Sequence, residues 1–428
     1  MGVRAAGTPR LELRDSNGHI HFGYIVFLGT CLLMFPQSLP INTASIFFVP
    51  VTQELGISQS TFGLHTTIIS LSVCASTALV SALFRRCNLK AFMCCVVGLE
   101  AACFFAYSIA QSVAVFYVAS ACIGASLSVL VYLVVPVLVN NWFSVRTSLL
   151  IGIGTCMQGI GGALFNAVGS AIIASHGWRT CYVVFGVVTL AVGIPASLFL
   201  LRRSPSELGL LPVGHDAAAV DEHPSLQGVA AKRAYRTPCF ALLVATCLCL
   251  STAIFFNYYM SPYVISLGAT IPQAGMASAA VMVGMCVGKV AVGAVCDRST
   301  GVGVALGIGS GIAGCLALAA FKSPAMAAIC GACFLFGVAY ASSSLLGAVL
   351  TRYGFGPRDF DRIWPTMGIV IALGNAFGAF FWGVVTESLG FTSGLVLDAA
   401  FMAGALGFGL ACVRAGKRER KGWLPNQL

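Results

Sequence analysis

GLHTTIISLSVCASTALVSALFRR at 63–86 and GMASAAVMVGMCVGKVAVGAVCDR at 275–298 lie on each other without a gap at an offset of 212 residues. The segments just ahead keep that offset: ELGISQSTFG at 54–63 matches SLGATIPQAG at 266–275. Farther along, SHGW at 175–178 matches SLGF at 388–391 at an offset of 213. A near-constant offset across separate segments marks an internal duplication, a construction common in polytopic membrane proteins. Under this register Cys74 pairs with Cys286, Thr77 with Lys289, Ser81 with Gly293, and Arg85 with Asp297. The two copies share a scaffold and differ in polar chemistry.

Each matched run is apolar and longer than the roughly 20 residues that cross a bilayer as helix. Across the chain 58% of residues are hydrophobic, only 9% are charged, and the mean hydropathy is +0.91. Soluble domains carry about 25% charged residues, so a soluble fold is excluded. Twelve spans are expected, at 23–48, 60–84, 90–110, 114–139, 147–174, 180–201, 238–262, 273–296, 302–321, 325–350, 363–386 and 392–413. The fold class is therefore all-α integral membrane, with two pseudo-symmetric six-helix halves. The longest polar segment, 203–236, holds charges of both signs with several Pro and Gly residues and reads as a linker. The expected organisation is a tail at 1–22, halves at 23–202 and 237–413, the linker between them, and a second tail at 414–428.

The net charge of +10 does not mark a nucleic-acid binder, because of where the charge lies. Of the 24 Lys and Arg residues, 21 fall in the two tails or in the loops on the same side, as the positive-inside rule requires of a cytoplasmic face. Arg179 and Lys322 lie opposite, and Lys289 stays inside a span. Both termini are expected in the cytoplasm, with the chain in the plasma (cell inner) membrane. Residues 1–21 lack the apolar core of a signal peptide. Nearly all of the 18 cysteines sit within spans as small apolar side chains, so neither disulfides nor metal are expected. Glycines such as Gly159, Gly161 and Gly162 in span five, and Gly374 and Gly378 in span eleven, read as close-packed seams that also slide.

At GAVCDRSTG, 293–301, the chain resembles the major facilitator superfamily, whose loop between helices eight and nine carries G-x-x-x-D-R-x-G-R. Tyr132 with NNWFSVR at 140–146, the Gly-rich fifth span ending in HGWR, RRSPSELGLLP after span six, GKVAVG at 288–293 and YGFGPRDF at 353–360 are similar to its branch of oxalate:formate antiporters and monocarboxylate porters. The resemblance implies gating roles for Asp297, Arg298 and Arg146. It also places Lys289 where that branch binds its anion. Four positions depart from the pattern, one of them Asn88, which stands where a glycine is expected. Arg85 stands where an acidic gate residue is expected, Ile371 where the oxalate antiporters carry a second lysine, and Asn42 near a helix-one lysine of monocarboxylate porters.

An ionisable side chain at bilayer depth is costly and by default functional. Lys289 lies eight residues before Asp297, about 12 Å along a helix, near the midplane. Its plainer alternatives are a snorkelling lysine or an internal ion pair. Glu100 is a candidate proton carrier, although a neutral acid bonded to Ser or Thr is the plainer reading. Asp398 is read the same way. Tyr132, Tyr340, Phe336 and Tyr259, from the NYY run at 257–259, are expected to wall a pocket with Lys289. Asn42 joins them where Pro36 and Pro40 break helix one. His65 reads as a hydrogen-bonded structural histidine.

These readings describe a secondary transporter of small organic anions, a monocarboxylate or short dicarboxylate, driven by proton symport or anion exchange. The expected partners are that anion, the bilayer, and protons or a counter-anion; no cofactor is expected, and the chain is expected to act as a monomer. An efflux pump for hydrophobic or cationic compounds is the alternative within transport, and a transporter-like sensor the alternative outside it. Six scattered histidines supply no catalytic cluster, so an enzyme is not expected.

Overall fold

The computed structural model describes residues 21–144, 147–214, 228–356 and 359–421, which are almost entirely helical. The first span, α1, runs Phe22–Met34 and continues through Ser38–Asn42, Ala44–Phe47 and Phe48–Leu55. It is followed by α2 (Gln59–Arg86), α3 (Leu89–Ser108) and α4 (Val113–Leu130, resumed at Val134–Trp142). The run Thr147–Pro195 holds α5 and α6, parted at Gly177. In the second half α7 is Pro238–Ile254, extended through Phe255–Tyr259 and Met260–Ser266. Then come α8 (Ile271–Arg298), α9 (Thr300–Ala320) and α10 (Met326–Phe355). The run Phe360–Lys421 holds α11 and α12, parted at Gly390.

Nine stretches of the described residues stand out as long and apolar enough to cross a membrane, two of them being the fused pairs. With α2, less apolar because of its Ser and Thr residues, they make the twelve spans. α12 runs on to Lys421, so part of the expected second tail is helical. The prolines of α1 remove backbone donors and leave Gln37 and Thr43 at breaks between short helical pieces.

The duplication is visible in the backbone. Gly56 and Gly268, 212 residues apart, both turn left-handed, with φ of 64° and 90°, just before α2 and α8. Ser58 and Thr270 then cap those helices, their hydroxyls accepting from the amides of Thr61 and Gln273. Gly177 and Gly390, 213 apart, share one conformation, φ 82°, ψ 165° and φ 80°, ψ 166°, where only glycine is comfortable. The breaks in α1 and α7 also correspond, at Ala44–Phe47 and Phe255–Tyr259.

Apolar packing divides unequally. One small core lies at the terminus-bearing end of the first half around Met93, Trp142 and Leu201. The larger core starts at the opposite end of that half, with Phe47 and Phe104, and continues through the second half. The halves therefore share a core at the face remote from the termini.

Candidate functional site

Contacts between the halves line up along that remote face. At its rim the Glu387 carboxylate of α11 accepts from the Ser60 amide at 2.7 Å and the Ser60 hydroxyl at 2.8 Å. It thereby sits on the N-terminus of α2, where unsatisfied donors and the helix dipole favour an anion. Below the rim, Phe48 of α1 meets the rings of Tyr258 and Tyr259 of α7 at 6.3 and 5.1 Å between centroids. Ser45 bonds Ser278 at 3.2 Å, and Thr67 donates to the Ala376 carbonyl at 3.0 Å. Deeper still, the Cys286 thiol of α8 points at the Cys156 carbonyl of α5 at 3.7 Å. A Cβ at Gly159 would lie 2.4 Å from the Cys286 sulfur, so glycine there permits the seam between α5 and α8.

Past Cys286, toward the termini, no hydrogen bond, ion pair or ring contact joins the halves among the described residues. Lys289 lies three residues beyond it on the same face of α8, half-buried at the head of the opening. Its nearest electrostatic company is the thiols of Cys286 and Cys156. Among the described residues the ion pair present is Arg179 with Glu54 at 2.9 Å, on the remote face. Lys289 thus has no acidic partner among them, and the internal ion pair considered for it is not formed. Asp297 and Arg298 are exposed at the terminus-bearing end of α8, with no ion pair to another described residue. Arg146 lies outside the described residues, as does the side chain of Arg85.

Three tyrosines from three helices converge below the sealed face. Tyr132 stands in the break of α4 at residues 131–133, 55% exposed, within electrostatic reach of Tyr340 on α10 and Tyr258 on α7. Their hydroxyls make no hydrogen bond among the described residues. The hydroxyls of Tyr107, Tyr117 and Tyr259 are occupied instead, by Ser120, the Thr61 carbonyl and the Ala379 carbonyl, each at 2.7 Å. In the NYY run both rings are buried; Tyr259 spends its hydroxyl on the Ala379 carbonyl, whereas that of Tyr258 makes no hydrogen bond among the described residues, since neighbouring residues in the short helical turn Phe255–Tyr259 face different ways. Phe336 is fully buried, packed in the core of the second half beside α9, and does not join the cavity wall. Asn42 is also buried, its amide donating to the Gln158 carbonyl at 3.1 Å while its own carbonyl accepts from Asn166 at 2.9 Å. It ties α1 to α5.

Glu100 is wholly buried on α3. Its partner is neither Ser nor Thr but the Gln37 amide in the break of α1, at 3.0 Å. Asp398 is as deeply buried on α12 and accepts from the Cys315 thiol at 3.2 Å. His65 is held by the Phe62 carbonyl at 2.5 Å among Phe48, Phe62 and Phe116. Cys330 and Cys333 have a C-x-x-C spacing on one turn of α10. No group of three His, Cys, Asp or Glu residues able to hold a metal occurs among the described residues.

Two duplicated six-helix halves, joined along one face with a half-buried lysine just beyond the last contact between them, have the organisation of a repeat-built membrane transporter. The profile of the Major Facilitator Superfamily matches residues 26–363, and the chain belongs to that superfamily. No curated protein sequence matches the chain. Among solved structures it is similar to a bacterial homologue of the human lysosomal transporter Spinster, in an inward-facing and unoccupied conformation. That similarity has a TM-score of 0.74 at 15% identity, covering 95% of this chain and 99% of the other. The nucleoside transporter NupG is similar with a TM-score of 0.72 at 11% identity, covering 92% and 99%. At such identities the likeness is one of fold.

Proposed function

We propose that this transporter carries small organic anions, a monocarboxylate or short dicarboxylate, with Lys289 supplying the charge that binds them. The observation behind this reading is a cation at bilayer depth, at the head of the opening, with no acidic partner among the described residues. A carboxylate entering the cavity would provide the missing counter-charge in surroundings where attraction is strong. The unoccupied hydroxyls of Tyr132, Tyr258 and Tyr340 would meet the remainder of the substrate, donating or accepting as its polar groups require. The terminus-bearing face carries 21 of the 24 Lys and Arg residues, which supports its assignment to the cytoplasm and the conformation as open inward. Terminal reporter fusions in cells test that orientation, and an external C-terminus would reverse it.

Uptake into proteoliposomes across a panel of oxalate, formate, lactate, pyruvate and an uncharged nucleoside tests the substrate class. Uptake of one or more anions, competed by the others and not by the nucleoside, is the expected result. Preference for the nucleoside or for an organic cation would overturn the reading.

A further inference from the structure

The second carboxyl oxygen of Glu100 and the amide oxygen of Gln37 are both buried without a partner among the described residues. The Gln37 amide donates to Oε2 of Glu100 at 3.0 Å, while Oε1 of Glu100 and Oε1 of Gln37 are both buried and both unbonded among the described residues. Both of these atoms are acceptors when the carboxylate is ionised. One proton on Oε1 of Glu100 would change that, because its O–H is a donor and the Gln37 oxygen, on the amide already bonded to this carboxyl, is an acceptor without a partner. The acid and the amide would then close a ring of two hydrogen bonds in which both oxygens find a partner.

We propose that Glu100 is a proton-binding site, occupied in this conformation, whose proton is the coupling ion of the transport cycle. The coupling part rests on the anion-transport reading above; the proton site does not. α3 packs against α4 and the α5–α6 run, with Gln37 reaching it from α1. Among the described residues the titratable groups nearby are the thiol of Cys103 on α3 itself and that of Cys122 on α4 beside it. No lysine, arginine or histidine among the described residues faces the carboxyl to stabilise its ionised form, so the bare anion is unfavourable while the site stays dry.

The location links this proton to gating. Gln37 sits in the break of α1, and its backbone carbonyl accepts from the Gln158 side chain of α5 at 3.3 Å. The Gln158 carbonyl accepts from Asn42, which in turn accepts from Asn166. The chain of amides thus ties α1 to the helix whose Cys156 and Gly159 meet α8 just above Lys289. When α1 moves so that water reaches the pair, the O–H bond of Glu100 breaks, the proton passes to water, and the carboxylate remains until it is reprotonated on return.

Infrared difference spectroscopy of the full-length protein in lipid at neutral pH tests the site without any substrate. A protonated-acid C=O band should disappear in Glu100→Gln and persist in Asp398→Asn. In Gln37→Leu it should shift to the higher frequency of an acid lacking its amide partner. Loss of no band in Glu100→Gln would overturn the proposal. Coupling is read in proteoliposomes with an internal pH dye: an anion gradient should move protons in the wild type. Glu100→Gln should lose that proton flux yet retain labelled-anion counterflow within about twofold. Undiminished proton flux in Glu100→Gln would overturn the coupling role. Absence of anion transport in the wild type would instead defeat the anion reading and leave the infrared result to decide the proton site.

Discussion

The second helices of the two halves, α2 and α8, are the clearest pair to compare. Both start after a left-handed glycine and a hydroxyl cap, run 28 residues, and reach the same face. Yet Thr77 on α2 faces Lys289 in the register, Arg85 faces Asp297, and on α3 the position of Glu100 falls on Ile312 in α9. Thr77 spends its hydroxyl on the carbonyl one turn back, Val73 at 2.5 Å. Lys289 has no such local outlet. The duplication keeps what the backbone needs and lets the side chains divide the labour: a buried acid and amide network in the first half, a cation and two of the three open tyrosines in the second.

The largest structural effect should come from breaking what the halves share. Gly177→Val and Gly390→Val force a β-branched residue into a glycine-only conformation, costing on the order of 1–3 kcal/mol each. Because the two sites have the same φ and ψ, their thermal unfolding shifts in detergent should agree closely. A large effect at one glycine alone would mean that the repeat's geometry is not equally required in both halves.

Where the halves differ, the consequences should differ too. Asp297→Asn should lower transport roughly tenfold, about 1.4 kcal/mol, with expression and thermal stability unchanged, since the carboxylate is exposed and unpaired here and acts only when the terminus-bearing face closes. Arg85→Ala should lower it by no more than about twofold, under 1 kcal/mol. Equal losses would remove the asymmetry of the latch.

A smaller effect is expected at the sealed rim. Glu387→Gln keeps hydrogen bonding to Ser60 but removes the charge from the α2 N-terminus, a contribution of roughly 0.3–1 kcal/mol. Spin labels placed across the remote face should report a population shift of about two- to fivefold toward its open state. An unchanged distance distribution would show that closure does not depend on the Glu387 charge.

The fold was legible because a bilayer demands long apolar helices and a duplication repeats its glycines. The Gly177 and Gly390 turns, and the Ser58 and Thr270 caps, were all present in the matched segments. The cavity was legible in part. Lys289 announced itself by charge at depth, and Tyr132 and Tyr340 by their central positions. The NYY run stood out with Tyr259 foremost; that Tyr259 spends its hydroxyl on Ala379 while Tyr258 does not could not be read, because the turn at 255–259 is not α-helical and facing does not follow a 3.6-residue period. Phe336 failed for the opposite reason: an aromatic one turn from a cavity residue has the same spacing whether it faces the lumen or a neighbouring helix. Asn42 stood out as a polar residue where the prolines break helix one, and Gln37 next to Pro36 belongs to the same break. Their actual partners, Gln158 and Glu100, lie 116 and 63 residues away, beyond any local pattern.

The central claim is that Lys289 holds the substrate's negative charge, and one paired measurement addresses it most directly: anion uptake and thermal stability of Lys289→Gln and Lys289→Arg in the same lipid. Lys289→Gln should lose uptake by about 100-fold, near the ~3 kcal/mol typical of deleting one member of a buried charge pair, while the substrate-free protein is no less stable. Lys289→Arg should keep part of the uptake, since the charge remains but its planar fork sits differently from an ammonium. Full uptake by Lys289→Gln would contradict the account. So would lost uptake joined to a stability loss of about 3–5 kcal/mol, the mark of a broken internal ion pair.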